Sequence, residues 1–259
     1  MNKHHIKKYA YWDRIMKRLE THNKAKTKKT AVSTTLIIVS VVLLLVGIVL
    51  LLIDPIKRAN RRRISSDALN EVENKIISTD PSVEPVATYV VPRRGNEVEG
   101  EGYDFIAETE ETEEEEGGDY YEEYVTLNSI GILYIDSINL RYSVWDEASQ
   151  VSLRYGLGHY EDSVMPGQAG NSTILGHNYR DGSMFHKLGN LGIGDEVIFI
   201  DLNGNEYYYY VVSSDIVSAD DILNYALGDV TDSQRLTLIT CTYEYGMTGW
   251  RRVVICEPD

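Results

Sequence analysis

Ala31 to Ile53 reads AVSTTLIIVSVVLLLVGIVLLLI, a mostly apolar run without a single charge. As a helix rising about 1.5 Å per residue it spans about 34 Å, enough for a hydrocarbon core of about 30 Å. A cleaved signal peptide is the competing reading. Its apolar region runs only about 7–15 residues and ends in small residues, whereas Asp54-Pro55-Ile56-Lys57 comes next here. The sequence therefore predicts an uncleaved transmembrane anchor at residues 31–53. Residues 1–30 hold ten Lys/Arg against two acids, and residues 54–63 hold five against one. Basic residues collect on the cytoplasmic side, so residues 1–30 are expected to be a cytoplasmic tail and the rest of the chain to lie outside. Arg61-Arg62-Arg63 suits the outer head groups.

Charge then reverses. Residues 64–124 carry nineteen acids against three bases, dominated by the run Glu108–Glu123, with Pro81, Pro85 and Pro92 and few large aliphatics. Low hydrophobicity with high net charge does not offset the entropy of ordering. Residues 54–124 are therefore expected to be an acidic flexible linker. A helix is compatible with Ser65–Ile77. About 60 flexible residues have an r.m.s. span of roughly 45 Å, so the linker would hold the C-terminal domain well away from a bilayer. Residues 125–259 remain acidic, and the whole chain has a formal charge of -15. That excludes a nucleic-acid-binding surface, which needs Lys and Arg to replace phosphate counterions.

From Val125 onward the texture is that of strands. Gly131–Val144, Asn171–His177, Asp195–Asp201, Glu206–Ser213, Arg235–Cys241 and Arg251–Cys256 are β-rich segments separated by turn residues. Asn203-Gly204, between two of them, is a strong hairpin signal. Six short strands in this length predict an all-β barrel or sandwich. Helical material is limited to Gly182–Leu191 and Asp220–Ala226.

The chain has two cysteines, Cys241 and Cys256, too few for a disulfide framework. Cys256 lies inside the apolar run Val253-Val254-Ile255-Cys256 and suits a small buried hydrophobe. Cys241 ends Leu236-Thr237-Leu238-Ile239-Thr240-Cys241, and polar and Gly-containing sequence comes after it, which puts its thiol at a rim. A thiol acts as a nucleophile through its thiolate, which a nearby His or Arg favours. His159, His177 and His186 are available, and His177 caps a strand end after Thr173-Ile174-Leu175-Gly176. No histidine has a metal-motif spacing to another ligand, so no metal site is expected. Arg251 and Arg252 come about ten residues after Cys241. Alternation along a strand lets only one of the two face a given site.

These residues resemble a known family. LTLITC (236–241) is similar to the TLxTC signature of sortases, with Cys241 in the place of the family nucleophile. ILGHN (174–178) resembles the family's strand-end Gly-His, which makes His177 the family histidine. The family's third residue is an Arg that opens the following apolar strand. Arg252 fits this better than Arg251, which stays as the alternative. The resemblance covers roughly residues 130–257. It implies a closed β-barrel of about eight strands with short helices. It also implies cysteine transpeptidation, in which an LPxTG-like sorting signal is cleaved through a thioacyl intermediate and passed to an amine of the cell wall or a pilin. The implied partners are sorting-signal-bearing surface proteins and that amine acceptor. Thr240 and Asn178 are expected to bind substrate. Calcium enters only by analogy with some sortases, and no ligand cluster stands out. GHNYRDGSMF (176–185) is similar to class B members, and GHYEDSVMPGQAGNSTILGH (158–177) to classes C, D or E, so the class stays open. Two alternatives remain beside this reading: a cysteine peptidase using water as acceptor, and a stalked surface-binding module without chemistry.

Overall fold

A computed structural model describes residues 3–78, 87–93, 123–228, 230, 233–242 and 249–259. The acidic run and the segment 243–248 lie outside the described residues. The chain divides into two compact units, Met1–Lys57 and Arg58–Asp259. Helix α1 (Lys3–Ser78) supplies all the described residues of the first. Within Leu36–Ile77 a window reaches a mean hydropathy of 3.6 with none of it buried, so the helix is long and apolar enough to cross a membrane. An apolar face without a protein partner suits lipid.

The second unit is a closed β-barrel. Its strands are β1 (Ala87–Arg93), β2 (Glu123–Ile135), β3 (Leu140–Trp145), β4 (Leu157–His159), β5 (Gly170–Leu175), β6 (Glu196–Asp201), β7 (Glu206–Ser218), β8 (Gln234–Cys241) and β9 (Trp250–Glu257). They are ordered β1-β2-β3-β4-β5-β8-β9-β7-β6, and β2 also pairs with β6. That last pairing closes eight strands, β2 to β9, and leaves no free edge along the ring. β1 lies outside the ring. One edge of β2 pairs with β1 along Glu123–Ser129 and with β6 along Gly131–Tyr134. A bulge between Ser129 and Gly131 marks the changeover. A side chain at Gly131 would meet the Ile200 carbonyl oxygen at 2.2 Å, so only glycine fits there.

Alternation sorts the strand residues into two cores. Ile174, Leu236, Leu238, Val254 and Cys256 point into the barrel with Leu133, Phe199 and Tyr209. Their neighbours Leu175, Ile239 and Val253 point outward and pack with Leu153, Ile222 and Ala226. Leu153 belongs to α2 (Gln150–Tyr155), and Ile222 and Ala226 to α3 (Ile222–Ala226). These two short helices therefore cover the outer face of β5, β8 and β9. The site lies at the end of that covered face.

Several expectations are revised. Gly131–Val144 is two strands, because a 3-10 turn at Asp136–Ile138 and a left-handed Asn139 (φ 54°) reverse the chain. Asn tolerates that conformation better than most residues. The six-residue α2 went unpredicted, being barely longer than one turn. It is capped by Ser149, whose hydroxyl accepts from the Ser152 amide at 3.1 Å. Two parts of the expected linker 54–124 are folded. α1 continues as a helix through Ser78, and β1 joins the sheet. Ile64, Ala68, Val72 and Ile76 recur every fourth residue and form one helix face. Ile64 and Ala68 pack with Val91, Leu127 and Trp145, and Val72 and Ile76 pack with Ala87 and Ile132. The overall acidity of 64–124 conceals this short apolar stripe.

Candidate active site

β5 and β8 run parallel, with Leu175 opposite Ile239. The ladder continues past β5, where the Gly176 amide donates to the Ile239 carbonyl at 3.2 Å. The same register carried two residues further sets His177 beside Cys241, on the outward face that Leu175 and Ile239 share. Cys241 packs against the outer core there. β9 is antiparallel to β8, with Cys241 opposite Arg251 and Thr240 opposite Arg252. Directly opposed residues share a face, so Arg251 accompanies the thiol. The Arg252 side chain goes the other way. Its Nη1 lies 3.5 Å from the Ser214 carbonyl, and its guanidinium lies against Gly189. Sequence reasoning favoured Arg252 because it directly precedes the apolar run. The register puts Arg251 across from Cys241 instead.

Backbone and side-chain bonds fix the two strand ends to each other. The Thr240 hydroxyl, buried, donates to the Gly176 carbonyl at 2.6 Å. The Asn178 side-chain amide donates to the Cys241 carbonyl at 2.9 Å, and its Oδ1 faces His186 Nδ1 at 3.0 Å. Thr240 and Asn178 were expected to bind substrate; in the structure these bonds tie together the strand ends that carry His177 and Cys241. Gly176 leaves no room for a side chain: a Cβ there would stand 2.6 Å from Leu157 and Phe185 carbons.

Electrostatics favour neutral forms of both groups. Burial pushes the Cys241 thiol up, and the Arg251 charge opposes this in part. Burial pushes the His177 imidazole down to about 4, assisted by the charges of Arg61 and Arg154. The resting pair is thus a thiol and a neutral imidazole, and the proton has to move when a reaction begins. Cys256 is different. It is fully buried inside the barrel, and burial alone pushes its thiol far up. Both cysteines are free thiols. His159 is a satisfied core residue, with Nε2 3.0 Å from the Val164 carbonyl and 3.1 Å from the Ser163 hydroxyl. Among the described residues no group of three or more His, Cys, Asp or Glu is placed to hold a metal ion.

Residues to which sequence reasoning gave no part in the site also surround His177; Arg61 was assigned with Arg62 and Arg63 to the outer head groups, yet Arg61 and Arg62 bond Asp181. Tyr179 stacks at a tilt on its ring, with centroids 4.9 Å apart. Arg61 lies beyond Tyr179, and Arg154 lies in the last turn of α2. Tyr179 belongs to the same GHNYRDGSMF stretch as His177, but Arg61 and Arg154 come from separate parts of the chain, and no local motif links them to the histidine.

Residues 133–259 match the family model described as Sortase domain. Sortase D of Bacillus subtilis (strain 168) is 33% identical over 124 residues, which cover 48% of this chain and 59% of that protein. The chain thus spans about three-fifths of the length of this curated relative. Similar solved structures include sortase C1 from Streptococcus agalactiae, 29% identical with a TM-score of 0.46, covering 51% of this chain and 68% of that one. Sortase A from Corynebacterium diphtheriae is 24% identical with a TM-score of 0.46, covering 50% of this chain and 60% of that one.

Proposed function

We propose that the chain, whose residues 133–259 match the Sortase domain model, is a membrane-anchored cysteine transpeptidase acting on an LPxTG-like sorting signal. Cys241 Sγ attacks the carbonyl carbon of the scissile peptide bond, and its proton passes to His177. His177 delivers that proton to the departing amine as the carbon–nitrogen bond breaks, the work of a general acid. A thioester to Cys241 remains. An acceptor amine, from a cell-wall precursor or a pilin lysine, then attacks the thioester. It gives its proton through His177 back to the leaving sulfur. Splitting the transfer in two is what covalent catalysis offers. Arg251 offsets the negative charge on the carbonyl oxygen in each tetrahedral intermediate, as a fixed donor does. The apolar run anchors the enzyme with residues 1–30 cytoplasmic and the barrel outside, where donor and acceptor both begin at the membrane.

The observation that supports this reading most is the meeting of three strand ends. β5 ends just before His177, β8 ends on Cys241, and β9 opens with Arg251 opposite it. A thiol held near both an imidazole and a guanidinium has no use in a passive binding module. The test is to incubate the full chain with a panel of LPxTG-like peptides and an amine acceptor. Mass spectrometry should find a peptide thioester on Cys241 and a ligated product, both absent from Cys241→Ala. Product from Cys241→Ala would refute the nucleophile. Hydrolysis alone with every amine would leave a peptidase.

A further inference from the structure

Arg61 stands eight residues past the apolar run, on the part of α1 that belongs to the barrel unit. Its guanidinium carbon lies 3.6 Å from the centre of the Tyr179 ring. Its Nη2 donates to Asp181 Oδ2 at 2.5 Å. The Asp181 side chain is only 6% exposed, and its other oxygen accepts from the Ser183 amide at 3.1 Å and the Ser183 hydroxyl at 2.5 Å. Arg62 adds a bond to the Asp181 carbonyl at 2.5 Å. Tyr179, gripped by Arg61, is the ring that leans on His177.

Residues 177–184 are therefore a loop pinned from two sides. Asn178 ties it to the Cys241 carbonyl, and Asp181 with Tyr179 ties it to α1. The loop ends at Met184, which holds a positive φ of 54°. Its amide donates to the Tyr142 hydroxyl at 3.1 Å. A non-glycine residue in that region costs energy and persists only where its surroundings hold it. The clamp on α1 is one such restraint. A planar guanidinium stacked on an aromatic face while one of its nitrogens bonds a carboxylate has a geometry that lysine does not reproduce.

We infer that Arg61 is a positioning residue for His177: by holding Tyr179 and Asp181 it sets the loop on which the imidazole stands, and so ties the catalytic histidine to the helix that leaves the apolar run. The inference rests on the transpeptidase reading for its kinetic consequence, and on geometry for the rest. Arg61 of α1, Arg154 of α2 and Tyr179 of the loop act on His177; by register Cys241 of β8 and, opposite it, Arg251 of β9 share its face, and Asp181 is paired with Arg61. The two charges that act on its titration are Arg61 and Arg154, both positive and both opposing an imidazolium. Removing a nearby like charge shifts a pKa toward easier formation of the charged state. The sign is upward, because the imidazolium becomes easier to form.

The test uses the full chain in lipid nanodiscs and compares wild type with Arg61→Gln, Arg61→Lys and Arg63→Gln. Arg63 pairs with Asp67 one turn along the same helix and is 79% exposed, so its variant removes equal charge without touching the loop. Two readouts are taken. One is the His177 titration midpoint by NMR, which needs no substrate. The other is the pH profile of kcat/KM with a sorting peptide. Arg61→Gln should raise the midpoint and lower kcat/KM about tenfold at neutral pH. Arg61→Lys should keep the midpoint nearer to wild type yet stay slow, because charge returns without the planar stack on Tyr179. Arg63→Gln should match wild type in both. An unchanged midpoint in Arg61→Gln, with or without a loss of thermal stability, would reduce Arg61 to a structural brace and overturn the inference. A shifted midpoint with no product from wild type would keep the clamp and overturn the transpeptidase reading.

Discussion

Acidification should destabilise this protein by a predictable amount through one residue. His177 is pushed from the ordinary 6.5 to about 4 by burial and by Arg61 and Arg154. The folded state therefore favours the neutral imidazole, and the unfolded chain binds the proton first. Stability from this group is fully present above about pH 6.5 and is lost as pH falls through about 4. A shift of about 2.5 units at 1.36 kcal/mol each sets a ceiling of about 3 kcal/mol. Somewhat under half of this should be gone at pH 5.5 and nearly all of it at pH 4. Asp181 does not confound this window. Burial pulls its carboxyl up, but the Ser183 hydrogen bonds and the Arg61 and Arg62 charges outweigh that and hold it below its usual value. Its own contribution is lost only at lower pH. The assay is urea denaturation of the full chain in detergent micelles, followed by the fluorescence of buried Trp145, for wild type and His177→Gln from pH 7.5 to 4. The variant lacks the titrating group, so the gap between the two curves isolates it. Curves that stay parallel within about 0.5 kcal/mol would show that His177 titrates as in water, and the account of its burial would fail.

The register of β8 and β9 predicts unequal arginines. Arg251→Gln should slow alkylation of Cys241 by iodoacetamide about tenfold at neutral pH, because the thiolate loses its opposing charge. Arg252→Gln should change it less than about threefold, and equal losses would sink the register argument. Cys256, inside the barrel, should stay unlabelled in both. Thr240→Val should cost about 1–2 kcal/mol in a urea melt, because it removes the 2.6 Å bond to the Gly176 carbonyl and leaves that oxygen without this donor. Thr240→Ser should recover most of the loss, and a wild-type midpoint in Thr240→Val would show that the bond contributes nothing.

Much of this protein was legible as local pattern. The apolar run has a length that only a membrane or a large core accommodates. Alternation in Arg235–Cys241 and Arg251–Cys256, and the Asn203-Gly204 turn, marked strands and a hairpin that the structure contains as β8, β9 and β6–β7. Cys241 at a strand end and Cys256 within one already pointed to a rim thiol and a core thiol. These features depend on residues near one another in the chain, so the sequence by itself determined them. Which arginine faces Cys241 was not local. It depends on how β9 registers against β8, and a slip of one residue exchanges Arg251 for Arg252. The docking of residues 58–78 was also obscured, since four apolar residues at helical spacing are outweighed by acids over a wider window. Least legible was the clamp on His177. Arg61 and Asp181 are 120 positions apart, and the basic cluster of the one and the GHNYRDGSMF stretch of the other give no sign that they meet. Only the packing of α1 against the barrel brings that guanidinium, Tyr179 and the histidine together, because the energy of the contact exists only once all three elements are in place.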